Sequence, residues 1–239
     1  MYMEQFKNKI LFFADLDDSI FQTKRKDTNG KYKATFPKNI LKTSFYTKAQ
    51  FELINFILST EDIIFIPLTA RTEDQFKRTS IYKKSQAEIY SYYYGSALYI
   101  NNNFHQPFYK FISKNFESGF KDLQKIITLT TKKFPEIKFV NVDGKYFTTE
   151  FKLPAFIKYL QNMINAKYEN IDIYIEERYI TLLPKVCNKK SVVTYLKKIL
   201  SPKLTIGIGN SVSDIAFLNE CDFKIISHIG SLNEKLLSQ

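Results

Sequence analysis

Short uninterrupted apolar runs that alternate with helix-period segments constrain this 239-residue chain more than any other feature. Residues 9–14 and 63–68 read as buried strands, and 47–58 and 72–83 read as amphipathic helices. The far end repeats the pattern, with helices expected over 191–200, 211–219 and 232–237 and strands over 204–208 and 223–226. Strands that are apolar on both sides need helices above and below them, which predicts an α/β fold built on a doubly wound parallel sheet. Ligands of such sheets bind beyond the carboxyl ends of the strands, and Asp15, Thr69 and Asn210 each directly follow one.

The pattern changes in the middle of the chain. A helix over 115–135 leads to strand-like runs at 138–142 and 146–152, joined by Asp143-Gly144, a strong hairpin signal. A second helix over 154–166, with Pro154 at its start, leads to another strand pair at 171–175 and 179–183. A helix-strand-strand unit that occurs twice predicts a small antiparallel sheet backed by two helices. The expected organisation is a core domain of residues 1–111 and 186–239 with an inserted α+β cap domain over 112–185. The connections at 108–113 and 183–188 are expected to act as hinges.

The run Phe13-Ala14-Asp15-Leu16-Asp17-Asp18-Ser19 carries the chemistry. In extended backbone residues i and i+2 share a face, so Asp15 and Asp17 are expected to point together at one spot. Like charges so close raise one another's pKa unless a cation intervenes, and a hard oxygen-seeking ion such as Mg2+ suits the pair. A metal, a carboxylate nucleophile and a nearby carboxyl acid are the components of phosphoryl transfer. A calcium loop starting at Asp15 fails, because Ile20 and Lys26 stand where Gly and Glu are required. The plainer reading of Asp15 is a turn residue after a strand.

Composition removes several classes of function. No apolar stretch is long enough to cross a bilayer and the N-terminal residues lack a signal pattern, so a cytoplasmic protein with no membrane partner is expected. Cys187 and Cys221 offer neither a disulfide framework nor metal spacing, and His105 and His228 lack ligand spacing. The net charge of +11 is dispersed as lysine pairs, whereas a nucleic-acid footprint would be clustered, so nucleic acid is not the expected partner. Tyr92-Tyr93-Tyr94, in a strand-like segment over 88–95, is read as sheet packing and not as a base-stacking platform. Gly207-x-Gly209 lacks the third glycine of a dinucleotide loop, Val212 standing there.

Taken together, these residues resemble the haloacid dehalogenase phosphohydrolase superfamily, in its Cof-type and sucrose-phosphatase-like branch with an α/β cap. Asp15-Leu16-Asp17-Asp18-Ser19 matches the first motif, and the apolar strand ending in Thr69, followed by Ala70-Arg71, is similar to the second. Gly95-Ser96-Ala97-Leu98-Tyr99-Ile100 resembles the hairpin before the cap. Lys189 best fits the motif lysine, with Lys185 and Lys190 as rivals, and Gly209-Asn210-Ser211-Val212-Ser213-Asp214 fits the fourth motif. The resemblance spans the whole chain in order. It departs at Asn210, where the family has an aspartate that ligates Mg2+.

The resemblance implies a Mg2+-dependent phosphatase of a small phosphorylated metabolite, most readily a sugar phosphate. It implies Asp15 as nucleophile, Asp17 as acid and base, and Thr69 and Lys189 as catalytic groups that also bind the phosphoryl group, with Ser19 orienting Asp17. Ser19, Ala70 and Arg71 join the substrate-binding set; Asp15, Asp17 through its carbonyl, Asn210 and Asp214 form the metal set. The alternative is a phosphate-ligand binding or regulatory protein of the same fold, its metal site weakened at Asn210.

Overall fold

The computed structural model describes residues 3–23, 30–37, 43–84, 86–150, 153–176, 179–227 and 232. The strands in chain order are β1 (Ile10–Ala14), β2 (Gln22–Thr23), β3 (Tyr32–Lys33), β4 (Ser44–Tyr46), β5 (Ile63–Pro67), β6 (Ile89–Tyr92), β7 (Ala97–Ile100), β8 (Asn103–Phe104), β9 (Val140–Val142), β10 (Tyr146–Thr149), β11 (Ile171–Ile175), β12 (Ile180–Pro184), β13 (Leu204–Gly209) and β14 (Phe223–Ile226). The helices are α1 (Lys48–Ser59), α2 (Glu73–Lys77), α3 (Ser80–Lys83), α4 (Gln106–Lys133), α5 (Pro154–Lys167), α6 (Lys189–Leu200) and α7 (Ile215–Leu218).

Two compact units emerge, one of Met1–His105 with Lys189–Gln239 and one of Gln106–Asn188. The first is built on a parallel sheet in the order β14-β13-β1-β5. Leu11, Phe12, Phe13 and Ala14 of β1 are all buried, as a central strand covered on both faces requires. The edge strand β14 departs from that expectation, because all four of its residues are exposed. Register fixes where the site lies. Ala14 pairs with both Ile208 and Pro67, so the three strands end level and Asp15, Thr69 and Asn210 leave the sheet at the same edge.

Two expected helices are shorter than their patterns suggest. The segment over 72–83 is split into α2 and α3, because Thr79 hydrogen-bonds back to Phe76 through both N–H and hydroxyl while its oxygen caps Tyr82 N–H. The segment over 211–219 becomes a 3-10 turn, Val212–Asp214, followed by the single turn α7. Beyond Leu232 the helix expected over 232–237 lies outside the described residues, as do His228 and the last two residues of the strand expected over 146–152.

The second unit is an antiparallel sheet in the order β11-β12-β10-β9 with α4 and α5 packed on it. Asp143 and Gly144 both adopt left-handed backbone, at φ 49 and 67, and close the expected β9–β10 hairpin. Helix α4 begins at Gln106 instead of near 115, so residues 108–113, expected as a connection, lie within it. Its buried face runs Phe108, Ile112, Phe116, Gly119, Leu123, Ile126, Thr130, steps of three and four that match a helical stripe. Gly119 is required there, since a Cβ at that position would stand 2.8 Å from Pro184 Cβ. Each fully buried Leu, Ile or Phe of this core contributes about 1.5–3 kcal/mol of transfer free energy.

Candidate active site

Asp15 is placed by the last ladder bond of β1, its N–H donating to Ile208 O at 2.9 Å. The chain then turns sharply. Leu16 O accepts from the backbone N–H groups of Ser19, Ile20 and Phe21, and Asp18, at φ 59, gives its carboxylate to Thr23 N–H and hydroxyl at 2.8 and 2.9 Å. Asp18 is thus the turn residue, and its buried carboxylate is consumed by the turn. Burial chiefly raises the Asp15 pKa, and Asp17 still lies close enough for its charge to raise it too, though turn geometry and not strand alternation places Asp17. Strand β1 stops at Ala14, so the i, i+2 rule does not reach Asp17, and the carboxylates of Asp15 and Asp17 take different partners.

Lys189, the first residue of α6, sends Nζ to Asp15 Oδ1 at 2.5 Å and to Asp214 Oδ1 at 2.7 Å. Of the three rival lysines it alone is buried; Lys185 is exposed, and Lys190 is exposed and pairs with Glu220 at 2.9 Å. Burial alone would lower its pKa, but the two carboxylates outweigh burial and raise it, so the ammonium stays charged. Burial raises Asp15 to about 7, opposed by Lys189 and reinforced by Asp214.

Asp214 is fully buried, and its second oxygen accepts from Asn210 N–H, Ser211 N–H and Ser211 Oγ, each at 3.0 Å. That carboxylate therefore ties the loop after β13 to Lys189. Gly209 makes room for it: a Cβ there would lie 2.6 Å from Asp214 Cβ.

Arg71 grips Asp17 with two prongs, Nε to Oδ2 at 2.8 Å and Nη2 to Oδ1 at 2.7 Å. Burial lowers the guanidinium pKa, but the Asp17 charge and hydrogen bonds outweigh it and raise it. The loop carrying Thr69, Ala70 and Arg71 is itself pinned. Thr69 is buried and its hydroxyl oxygen accepts from Arg71 N–H at 3.2 Å, whereas Thr72, not Thr69, caps α2. Tyr93 N–H donates to Arg71 O and Tyr94 N–H to Thr69 O, from a turn in which both tyrosines have left-handed backbone, φ 54 and 58. Such backbone costs about 1–3 kcal/mol per residue. Tyr93 and Tyr94 therefore clamp the Thr69–Arg71 loop through their backbone, a role that the strand-like sequence did not suggest, while Tyr92 packs within the sheet as expected, in β6 against Tyr90 and Tyr99.

Ser19, expected to orient Asp17, donates instead to Asp15 Oδ2 at 3.1 Å and lies 3.3 Å from Asn210 Oδ1. A hydroxyl has one proton for these two oxygens. The point that both oxygens approach is filled by the Ser19 hydroxyl itself; by chemistry alone, they are oxygen donors of the kind a small divalent cation such as Mg2+ takes. The fit is lean: Asp17 and Asp214 spend their carboxylates on Arg71 and Lys189, and no group of three or more His, Cys, Asp or Glu side chains suited to a metal occurs among the described residues. Among the described residues no helix is long and apolar enough to cross a membrane.

The sequence matches no protein-family model and no curated protein. Solved structures match throughout the chain. The sucrose-phosphatase of Synechocystis, solved with sucrose and phosphate, superposes with a TM-score of 0.64 at 15% identity, over 98% of this chain and 88% of that one. A haloacid dehalogenase-like hydrolase of Bacillus subtilis gives 0.55 at 13% identity, over 99% and 85%. This is the haloacid dehalogenase fold. A trehalose-6-phosphate phosphatase of Aspergillus fumigatus shares it, with a TM-score of 0.58 at 9% identity over 94% of this chain and 84% of that one. Within the haloacid dehalogenase fold, the level strand ends bring Asp15, Thr69 and Asn210 to one edge, and the ion pairs of Lys189 and Arg71 complete the cluster.

Proposed function

We propose that this chain is a phosphatase that hydrolyses a small phosphorylated metabolite through an aspartyl-phosphate on Asp15. The observation that carries the reading is Lys189 buried between Asp15 and Asp214 while Arg71 holds Asp17 nearby. Asp15 attacks phosphorus as the bond to the ester oxygen breaks, and Asp17 delivers its proton to that leaving oxygen. In the second half Asp17 takes a proton from water, the water oxygen bonds phosphorus, and the Asp15–phosphorus bond breaks to release phosphate. Lys189 neutralises charge on the transferring group, and Thr69 is in reach of the same strand edge to hydrogen-bond it. A Mg2+ ion held by Asp15, Asn210 and the Asp17 carbonyl would supply further charge stabilisation at the phosphoryl oxygens. The sucrose-phosphatase and trehalose-6-phosphate phosphatase that share the fold favour a sugar phosphate as substrate. A panel of sugar phosphates with Mg2+ tests this, and no phosphate released from any ester by the folded, metal-loaded protein would refute it. The neutral Asn210 favours a second reading, a binding protein that holds phosphorylated ligands without hydrolysing them; turnover of any ester excludes it.

In this scheme a substrate phosphate competes for the Arg71 guanidinium and frees one Asp17 oxygen to carry the proton. Lysine cannot reproduce the two-pronged grip. Arg71→Lys should lower kcat/KM by about 10^2 for a sugar phosphate, in line with the contribution of a positioned acid. The loss should be smaller for p-nitrophenyl phosphate, whose leaving group needs no proton. Equal losses on both esters would mean that Arg71 does not act through Asp17.

A further inference from the structure

We propose that the outer face of α4 and α5 is a docking surface for an anionic lipid bilayer, to which the chain attaches peripherally. Lysines that look scattered along the sequence are gathered here by the fold. The two helices carry eight lysines and two acidic residues, whereas the remainder of Gln106–Asn188 carries five basic and seven acidic residues. Both helices pack on one side of the antiparallel sheet, where Leu123 and Ile126 of α4 and Phe156 and Leu160 of α5 share a core with Phe147 and Leu182. Their other sides form one outer layer, and α5 brings no acidic residue to it. On α4, Lys110, Lys114, Lys121, Lys125 and Lys132 are all exposed, in steps of four and seven. At about 100° and 1.5 Å per residue these five fall within an arc of roughly 60°, opposite the buried stripe, and form a straight row roughly 33 Å long. Within α4, Glu117 is the one acid in that arc, and Asp122 beside it pairs with Lys125 at 3.1 Å.

Phe111 and Leu129, 52% and 47% exposed, flank the row on the same side, about five helical turns apart. Charge and shape together select the partner. A straight row of cations lies flat against a bilayer, where every lysine reaches headgroups and the two apolar side chains reach the acyl boundary. A duplex offers phosphates to such a row only where its strands wind past, and a single strand asks for stacking rings that the lysine arc lacks. The lack of a spanning stretch, which argues against a membrane-embedded chain, does not bear on peripheral attachment.

Co-sedimentation of the full chain with vesicles of phosphatidylcholine, alone or mixed with phosphatidylserine, tests the proposal. The chain should sediment with the mixed vesicles and not with phosphatidylcholine alone, and about 1 M salt, which screens charges beyond roughly 3 Å, should release it. Each lysine near an anionic leaflet contributes about a fivefold gain in partitioning, so Lys114→Gln, Lys121→Gln and Lys125→Gln combined should weaken binding about 100-fold. Glutamine forms helix about as well as lysine, so α4 should persist, as circular dichroism would show. A second variant, with Lys48→Gln, Lys77→Gln and Lys203→Gln, loses the same charge from exposed positions of the other unit and should bind the mixed vesicles nearly as the parent does. If the first variant does not fold, the lipid and salt comparisons on the parent still decide. No sedimentation with the mixed vesicles, equal sedimentation with phosphatidylcholine alone, binding unmoved by salt, or an equal loss in the two variants would each overturn the proposal. So would tighter binding to a duplex or single-stranded oligonucleotide than to the mixed vesicles at the same salt, which would assign the surface to nucleic acid. None of these outcomes depends on whether the chain hydrolyses an ester.

Discussion

Replacing Asp15 by Asn is expected to lower phosphate release by about 10^4 or more, the scale seen when a nucleophile is removed. The amide keeps the size of the side chain, and its oxygen can still accept from Lys189, now 2.5 Å from Asp15 Oδ1. The fold should therefore persist while the attacking charge is gone. Circular dichroism and thermal unfolding close to the parent's, with activity lost, would match the account. Activity retained within tenfold would leave Asp15 as a turn residue only.

Lys189→Met is expected to be the most destabilising single change in the site. Methionine fills most of the space but strands Asp15 and Asp214 in a buried environment without their shared cation. Breaking a buried pair by removing one partner costs about 3–5 kcal/mol, which for a chain of this size corresponds to a melting temperature lower by roughly 10 °C. The pH dependence follows from the shift at Asp15. Burial raises its pKa from 3.8 to about 7 in the folded protein, so its contribution to stability is greatest below the unfolded value and is lost as pH rises through about 7. Without Lys189 the folded pKa rises further. The deficit of the variant should thus be larger at pH 8 than at pH 5, as followed by denaturant unfolding at the two pH values. A deficit independent of pH would show that the loss is one of packing. Lys190→Met, at an exposed pair with Glu220, should cost under about 1 kcal/mol.

The parallel sheet was legible because continuous apolar runs such as Leu11 to Ala14 have no other home than a strand covered on both faces. The site was legible where it follows strand ends, at Asp15, Thr69 and Asn210, since topology alone brings those ends together. What the sequence hid is non-local or set by turns. Nothing local links Arg71 to Asp17, 54 residues away. The sharp turn at Leu16 ends strand geometry before Asp17 and brings the Ser19 hydroxyl to Asp15 and Asn210, a placement that no strand periodicity carries. The full length of helix α4 is written in the sequence: Phe108, Ile112 and Phe116 already continue the stripe, and Pro107 suits a helix's first turn. The β2-β4-β3 sheet was missed because strands of two or three residues carry too little alternation to register.

The central claim, that Asp15 accepts the phosphoryl group, is tested most directly by acid-quenching the protein during turnover of a sugar phosphate or p-nitrophenyl phosphate with Mg2+ and mapping the adduct by mass spectrometry. The account predicts a single phosphoryl group on the peptide that contains Asp15, absent from Asp15→Asn. Turnover without any adduct on that peptide, or an adduct that persists in Asp15→Asn, would contradict it.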